Sequence, residues 1–287
     1  MRLAEYPFTP KRCQIGGQTM SYIDEGEGPA LVCIHGNPSW SYLYRHVVSE
    51  FSGSYRCIVP DHIGCGFSDK PKRYSYRLAT HIENLSSLLQ TLEIDTCTVM
   101  VHDWGGAIGM GWAGKYPERV KGIVVLNTAA FPSKRLPFRI AICRVPLLGA
   151  LLVRGLNGFA GAAIFMAVVK KMKPETAEGF LAPYGSWRSR IAILRFVQDI
   201  PMNDRHPSWD TLLGVEKSLQ KLRQHPVLIC WGGRDFCFTK HFYEEWRTRF
   251  PLAQAHFFAH AGHYVLEDAR KHVFPLLSTF FEQVHAT

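Results

Sequence analysis

The sequence predicts an α/β chain: a mostly parallel central sheet flanked by helices, with one helical insertion. Three observations predict it. Short β-rich runs alternate with helix-patterned stretches. The runs are apolar almost without a break instead of alternating polar and apolar. The alternation lapses once, from about Phe131 to Leu222. Unbroken apolar runs mark strands covered on both faces, as in a parallel sheet sandwiched by helices.

The strand candidates are Ala30–Ile34, Arg56–Pro60, Thr96–Val101, Val120–Leu126, Val227–Trp231 and Ala255–Phe258. Turn phrases such as HGNP, DHIG, DWGG, NTAA and GGRD follow them. Helical patterns fit between, at Ser41–Phe51, Leu78–Leu92, Gly105–Tyr116, Lys240–Phe250 and Ala269–Val284. The insertion follows strand six, the Val120–Leu126 run, and reads as a helical cap broken by Gly and Pro. The expected organisation is therefore a first core part at 1–131, a cap at 132–222 and a second core part at 223–287. No internal repeat or low-complexity tract interrupts it.

Composition narrows the function. With 287 residues, 47% apolar and 20% charged, the chain can bury one large core, which excludes a disordered tail or a disulfide-stapled mini-domain. The formal charge is +9, but the densest basic groupings, Lys70–Lys72–Arg73 and Lys170–Lys171–Lys173, are too short for a nucleic-acid arm. No nucleic acid is expected as a partner. Eight cysteines include no CxxC pair, and Cys33, Cys57, Cys97 and Cys230 sit in apolar runs where a thiol acts as a small hydrophobe. Without a signal-peptide pattern at the start, a reducing cytoplasm is the expected home. The longest uncharged apolar stretch, Gly155–Val169, has fifteen residues and is short of the roughly 20 that a spanning helix needs.

One strand–turn–helix carries a nucleophile candidate. Thr96–Val101 runs into His102-Asp103-Trp104-Gly105-Gly106 and then a helical pattern. This has the logic of the G-x-S-x-G elbow with Asp at the apex, although Val101 stands where a small residue is usual. The alternative is that Asp103 caps the helix. An elbow nucleophile needs an acid and then a histidine later in the chain, each after a strand. Asp235 in WGGRD and His263 in AGHYVLED supply them in that order, at strand ends where ligands bind in such sheets. Asn127, after strand six, cannot serve as a carboxylate, so the acid role falls to Asp235. Asn37 in HGNP occupies the oxyanion-hole position, and its amide and the Trp104 indole N–H are neutral donors for an anion. Turn-forming for Asn37 and packing for Trp104 are the competing readings. No metal-ligand spacing and no phosphate-cradling glycine loop occurs, so no cofactor is expected.

With HGNPSW, DHIGCGFSDKP, VHDWGGAIGMGWAGKYPERV, WGGRDFCF and AGHYVLED, the sequence resembles the haloalkane dehalogenase family of α/β-hydrolases over nearly its whole length. The elbow Asp-Trp, the Asn after HG and the Asp after strand seven are similar to the third dehalogenase subfamily. The likeness implies Asp103 as nucleophile, His263 as base, Asp235 as orienting acid, and Asn37 with Trp104 as anion stabilisers.

The cap phrases LNTAAFPSKRLPFRIAICRVPLLGALLVRGLNGFA and LAPYGSWRSRIAILRFVQDIPM resemble the β-lactone decarboxylases of bacterial long-chain olefin biosynthesis, relatives within that subfamily. That likeness implies conversion of a cis-3-alkyl-4-alkyloxetan-2-one to a cis-alkene and carbon dioxide, and association with other enzymes of the pathway. Haloalkane hydrolysis is the alternative. A non-catalytic lipid binder or scaffold is a third reading, against which the intact Asp103–Asp235–His263 set counts. The apolar stretch Gly149–Val169 is expected to line a tunnel for a long-chain apolar substrate. Arg144, Arg154, Lys170, Lys171 and Lys173 add the expectation of contact between the cap and an acidic membrane surface. Arg190 and Arg195 either anchor the cap or meet the substrate carboxylate; anchoring is the reading adopted.

Overall fold

The computed structural model describes residues 3–286. Eight strands form one sheet in the order β1-β2-β4-β3-β5-β6-β7-β8. They are β1 (Lys11–Ile15), β2 (Gln18–Glu25), β3 (Ala30–Ile34), β4 (Arg56–Pro60), β5 (Cys97–Asp103), β6 (Val120–Thr128), β7 (Val227–Gly232) and β8 (Gln254–Phe258). From β4 through β8 every pairing is parallel. The apolar runs mark six of these strands to within about two residues, but not the antiparallel hairpin of β1 and β2. That hairpin lies at the sheet edge, and most of β1, KRCQI, is exposed or half-exposed, so it lacks the continuous apolar run of a doubly covered strand. Its two strands make Val120–Thr128 the sixth.

Both faces of the parallel strands β3 to β7 are nearly dry, whereas β8 at the edge is exposed or half-exposed along its length. In β3, Leu31 and Cys33 pack with α1 (Arg45–Phe51) residues Val47 and Val48, while Val32 and Ile34 join the opposite cluster. That second cluster takes Leu85 and Leu89 of α2 (Leu78–Thr91) and Ile108 and Trp112 of α3 (Trp104–Lys115). The helix α3 is apolar all round because it is wedged against the sheet under α2.

Between β6 and β7 the described chain is helical. It holds α4 (Phe138–Arg144), α5 (Leu148–Ala150) running into a π-helical turn at Leu151–Gly155, and α6 (Ala160–Met166). Then come α7 (Pro174–Leu181), α8 (Ile191–Gln198) and α9 (Trp209–Ser218). After β7, α10 (Lys240–Arg249) leads to β8, and α11 (Val265–Asp268) and α12 (Arg270–His285) close the chain. Val273, Leu277 and Phe280 of α12 complete the core shared with α1. Arg190 is a structural clamp: its Nε donates to the Tyr184 carbonyl at 2.7 Å, and its Nη1 donates to the carbonyls of Arg154 and Gly155. These are orphan acceptors at the end of the π turn, which explains why a guanidinium is buried there.

Candidate active site

The strand β5 ends in a bend that no ordinary strand–helix connection requires. Asp103 sits at φ +53°, in the left-handed region that a residue with a Cβ adopts at a cost. Its register with β6 shifts after Val101, so Asp103 pairs with Thr128 and stands at the carboxyl edge of the sheet. The helix α3 begins at once and crosses so close that a side chain at Gly105 would collide with the Ile34 carbonyl. The departure at Val101 has its own remedy, because Gly109 leaves the room on α3 that the Val101 side chain takes. Asp103 makes no capping hydrogen bond to the helix. The capping alternative therefore fails.

The side chain instead turns into the fold. Its Oδ1 accepts the Asn37 backbone N–H at 2.6 Å, and the Trp104 backbone N–H also faces the carboxylate. Backbone donors from two segments thus hold the carboxylate, an arrangement of the oxyanion-hole kind. The other oxygen, Oδ2, lies 3.8 Å from His263 Nε2. His263 Nδ1 donates to Asp235 Oδ2 at 2.7 Å, which leaves Nε2 as the atom facing Asp103. Asp235 is fully engaged, its Oδ1 accepting the N–H groups of Cys237 and Phe238 at 2.7 and 3.0 Å.

Electrostatics follow from this burial. Burial raises the Asp103 carboxyl above the usual carboxylate range, and the His263 ring and the two backbone N–H groups restrain the shift. Burial also opposes a charge on His263, but the carboxylates of Asp235 and Asp103 more than offset it and raise its pKa. For Asp235 burial is likewise outweighed, by His263 and the two backbone N–H groups, and its pKa is lowered. The three groups form one charge-coupled set in which His263 and two backbone N–H groups favour the ionised form of Asp235.

Two apolar cavities meet at this point, enclosing about 810 and 620 Å³ with their mouths included. Asn37, Asp103, Ile140, Phe159 and Cys237 line both. One arm runs past Trp104, Phe131, Val197 and Leu212; the other past His263, Cys143, Ala163 and Met166. The Asn37 side-chain Nδ2 donates to the Ile193 carbonyl at 3.1 Å, while its Oδ1 is buried without a partner. Trp104 lines the first arm, its ring tilted against Phe196. Four of the five predicted residues, Asn37, Asp103, Trp104 and His263, therefore line the joined space, and Asp235 stands buried behind His263, bonded to its Nδ1. Arg190 and Arg195 line neither arm, and Arg195 bonds Gln198.

A model of the alpha/beta hydrolase fold matches residues 29–143. A cis-3-alkyl-4-alkyloxetan-2-one decarboxylase of Shewanella oneidensis is 46% identical over 96% of this chain and 89% of its own length. One of Xanthomonas campestris is 44% identical over 97% of each. A haloalkane dehalogenase of Mycobacterium marinum is 31% identical over 81% of this chain and 80% of its own. The chain belongs to this dehalogenase-related family of α/β-hydrolases. The solved haloalkane dehalogenase of Bradyrhizobium elkani, 22% identical, superposes with a TM-score of 0.89 over 97% of this chain and 99% of its own, a likeness of fold.

Within this α/β-hydrolase site the sequence left the roles of three residues unread. Asn127 takes the place after β6 and donates from Nδ2 to Asp235 Oδ2 at 3.0 Å and to the Gly232 carbonyl at 2.9 Å. Its Oδ1 accepts the Gly232 N–H at 2.8 Å, so one amide fixes both the strand end and the acid. His102 Nε2 donates to the His263 carbonyl at 3.0 Å, and the Phe238 ring stacks on the His263 imidazole. The only signal for Asn127 was its position after a strand, and nothing marked the other two.

Proposed function

We propose that this chain is a decarboxylase of cis-3-alkyl-4-alkyloxetan-2-ones, releasing a cis-alkene and carbon dioxide. The observation that carries this reading is the pair of apolar arms joined at Asp103. A four-membered ring with alkyl chains on adjacent carbons needs one slot for each chain and the nucleophile between them. The name of the 46% identical relative supports the same substrate class. With it come, as proposals, the cytoplasm as compartment and neighbouring enzymes of olefin biosynthesis.

The residues suit the chemistry. Asp103 attacks with Oδ2 while the Asn37 backbone N–H holds Oδ1, so the carboxylate is oriented before the substrate arrives. Attack on the ring carbon that bears oxygen forms an alkyl–Asp103 ester, breaks the C–O bond and frees the lactone carboxylate. Inversion places the new ester anti to that carboxylate. The electrons of the C–CO₂ bond then form the alkene, carbon dioxide leaves, and the Asp103 carboxylate departs with its electron pair. Inversion followed by anti elimination converts a cis-lactone to a cis-alkene, and no water is consumed. Asn37 and Trp104 offer neutral donors to the carboxylate as it is set free. Asp235 and Asn127 hold His263 beside the ester, where it polarises the intermediate or clears a stalled one.

One observation favours a second reading, haloalkane hydrolysis. A buried His–Asp pair with Nε2 3.8 Å from Asp103 is what activating water against an alkyl ester requires, and the water-free path does not demand it. Incubating the purified chain with a synthetic cis-dialkyl β-lactone and, separately, with 1-bromohexane distinguishes them. Alkene from the first without halide from the second is the expected result. Halide release without alkene would overturn the proposal. Solvent ¹⁸O entering Asp103 at every turnover would overturn the water-free path.

A further inference from the structure

The segment that roofs the cavity is greasy on both sides. Its inner residues Ile140, Cys143, Phe159, Ala163 and Met166 line the arms. Its outer residues Phe138, Leu147, Leu148, Leu151, Leu156 and Phe165 are 44% to 88% exposed, with Leu147 the most exposed. Leu147 also has φ +61°, a conformation unfavourable for a branched side chain, yet among the described residues nothing covers it.

The charge of the same segment is one-sided. Between Phe131 and Pro174 lie eight of the chain's 33 Lys and Arg and none of its 24 Asp and Glu, nearly the whole of the net +9. Cations lie close beside the apolar residues: Arg139 reaches Met166 Sδ at 3.6 Å, and Arg154 lies over the half-exposed Trp187 ring at 4.4 Å. Lys170, Lys171 and Lys173 are exposed at its end. The Asp268 carboxylate that meets this end accepts the backbone N–H groups of Val169, Lys170 and Gly262 and forms no salt bridge with these lysines. The apolar pieces Leu148–Gly155 and Ala160–Met166 meet at 71°, and no single helix among the described residues is long and apolar enough to cross a membrane.

We infer that the outer face of residues 138–173 seats the protein on an anionic lipid bilayer, with the cavity mouths turned toward the lipid. Leucines and phenylalanines would enter the headgroup–acyl boundary and the cations would meet lipid phosphates, the division of labour of interfacial helices. Arg135 and Arg139 line the two arms and flank exposed Phe138, so the cavity opens beside this face. An apolar substrate would pass from bilayer to Asp103 without crossing water, and an alkene would return the same way. Only the identity of that cargo rests on the function proposed above.

Flotation of the full chain with vesicles tests the seat. Phosphatidylcholine vesicles containing phosphatidylglycerol should bind it about tenfold or more tightly than phosphatidylcholine alone, and high salt should remove most of the difference. The double variant Leu147→Glu, Leu151→Glu lies outside the cavity lining and should lose about tenfold or more in binding while keeping its melting temperature. It should also turn over a short, water-soluble lactone normally but lag on a long-chain lactone presented in vesicles. Equal binding to both vesicle types, or binding untouched by the double variant, overturns the inference. So does a dimer that the double variant dissociates, since a second copy would then cover this face. Vesicle binding needs no turnover, so a chain that binds but makes no alkene would overturn the substrate reading alone.

Discussion

The sheet-borne half of the site and its helical roof are built on opposite principles. On the sheet side, most polar atoms near the chemistry have a partner: Asp235 has both oxygens bonded, Asn127 ties β6 to β7, and the Asn37 N–H grips Asp103. The roof offers mainly apolar side chains such as Ile140, Phe159, Ala163 and Met166, its polar lining confined to Ser133, Arg135 and Arg139. Backbone hydrogen bonds are directional and fix a reacting atom to fractions of an ångström, which chemistry needs. Apolar contact is non-directional and scales with area, which suits alkyl chains of variable length. The comparison teaches that reaction type resides in the sheet edge and substrate range in the roof.

The hardest way to break this division is to remove the nucleophile. Asp103→Ala should lower alkene release by about 10⁴-fold or more, measured with a cis-dialkyl lactone. It should leave the melting temperature unchanged or higher, because burial already disfavours the charged carboxyl. A fully active variant would place the chemistry elsewhere. A change in the roof should act differently. Ala163→Phe fills the second arm and should cost about tenfold to a hundredfold in kcat/KM for a long-chain lactone, with a short-chain lactone barely affected. Equal losses on both would show that the roof does more than measure length.

The gentlest probe is pH. The Asp103 pKa lies above the ordinary 3.8, so kcat/KM for the lactone should fall with acid at a midpoint above that value. His263 has a raised pKa and keeps its proton further toward neutral pH than a free histidine. Ester hydrolysis needs its neutral form and would climb as pH rises through that pKa, whereas the water-free decarboxylation would not. A lactone profile that climbs there would assign the base a direct part in every turnover.

Much of this site was legible in the order of the residues. Asp103, Asp235 and His263 each follow an apolar run, and parallel strands place all such positions on one edge of a sheet. The hairpin of β1 and β2 was not legible, because an exposed edge strand has no continuous apolar signature. Asn127 was visible as a residue but not as a partner: its bonds to Gly232 and Asp235 span more than a hundred positions.

By itself, then, the chain order determined the six parallel strands of the sheet, the elbow and the succession of nucleophile, acid and base, since local periodicity and turn chemistry encode each. Tertiary packing alone decided that the cavity forks, that Asn127 braces the acid, and which apolar side chains of residues 138–173 face inward or outward. A helix apolar all round carries no periodic mark of its buried face, so only its neighbours can choose one.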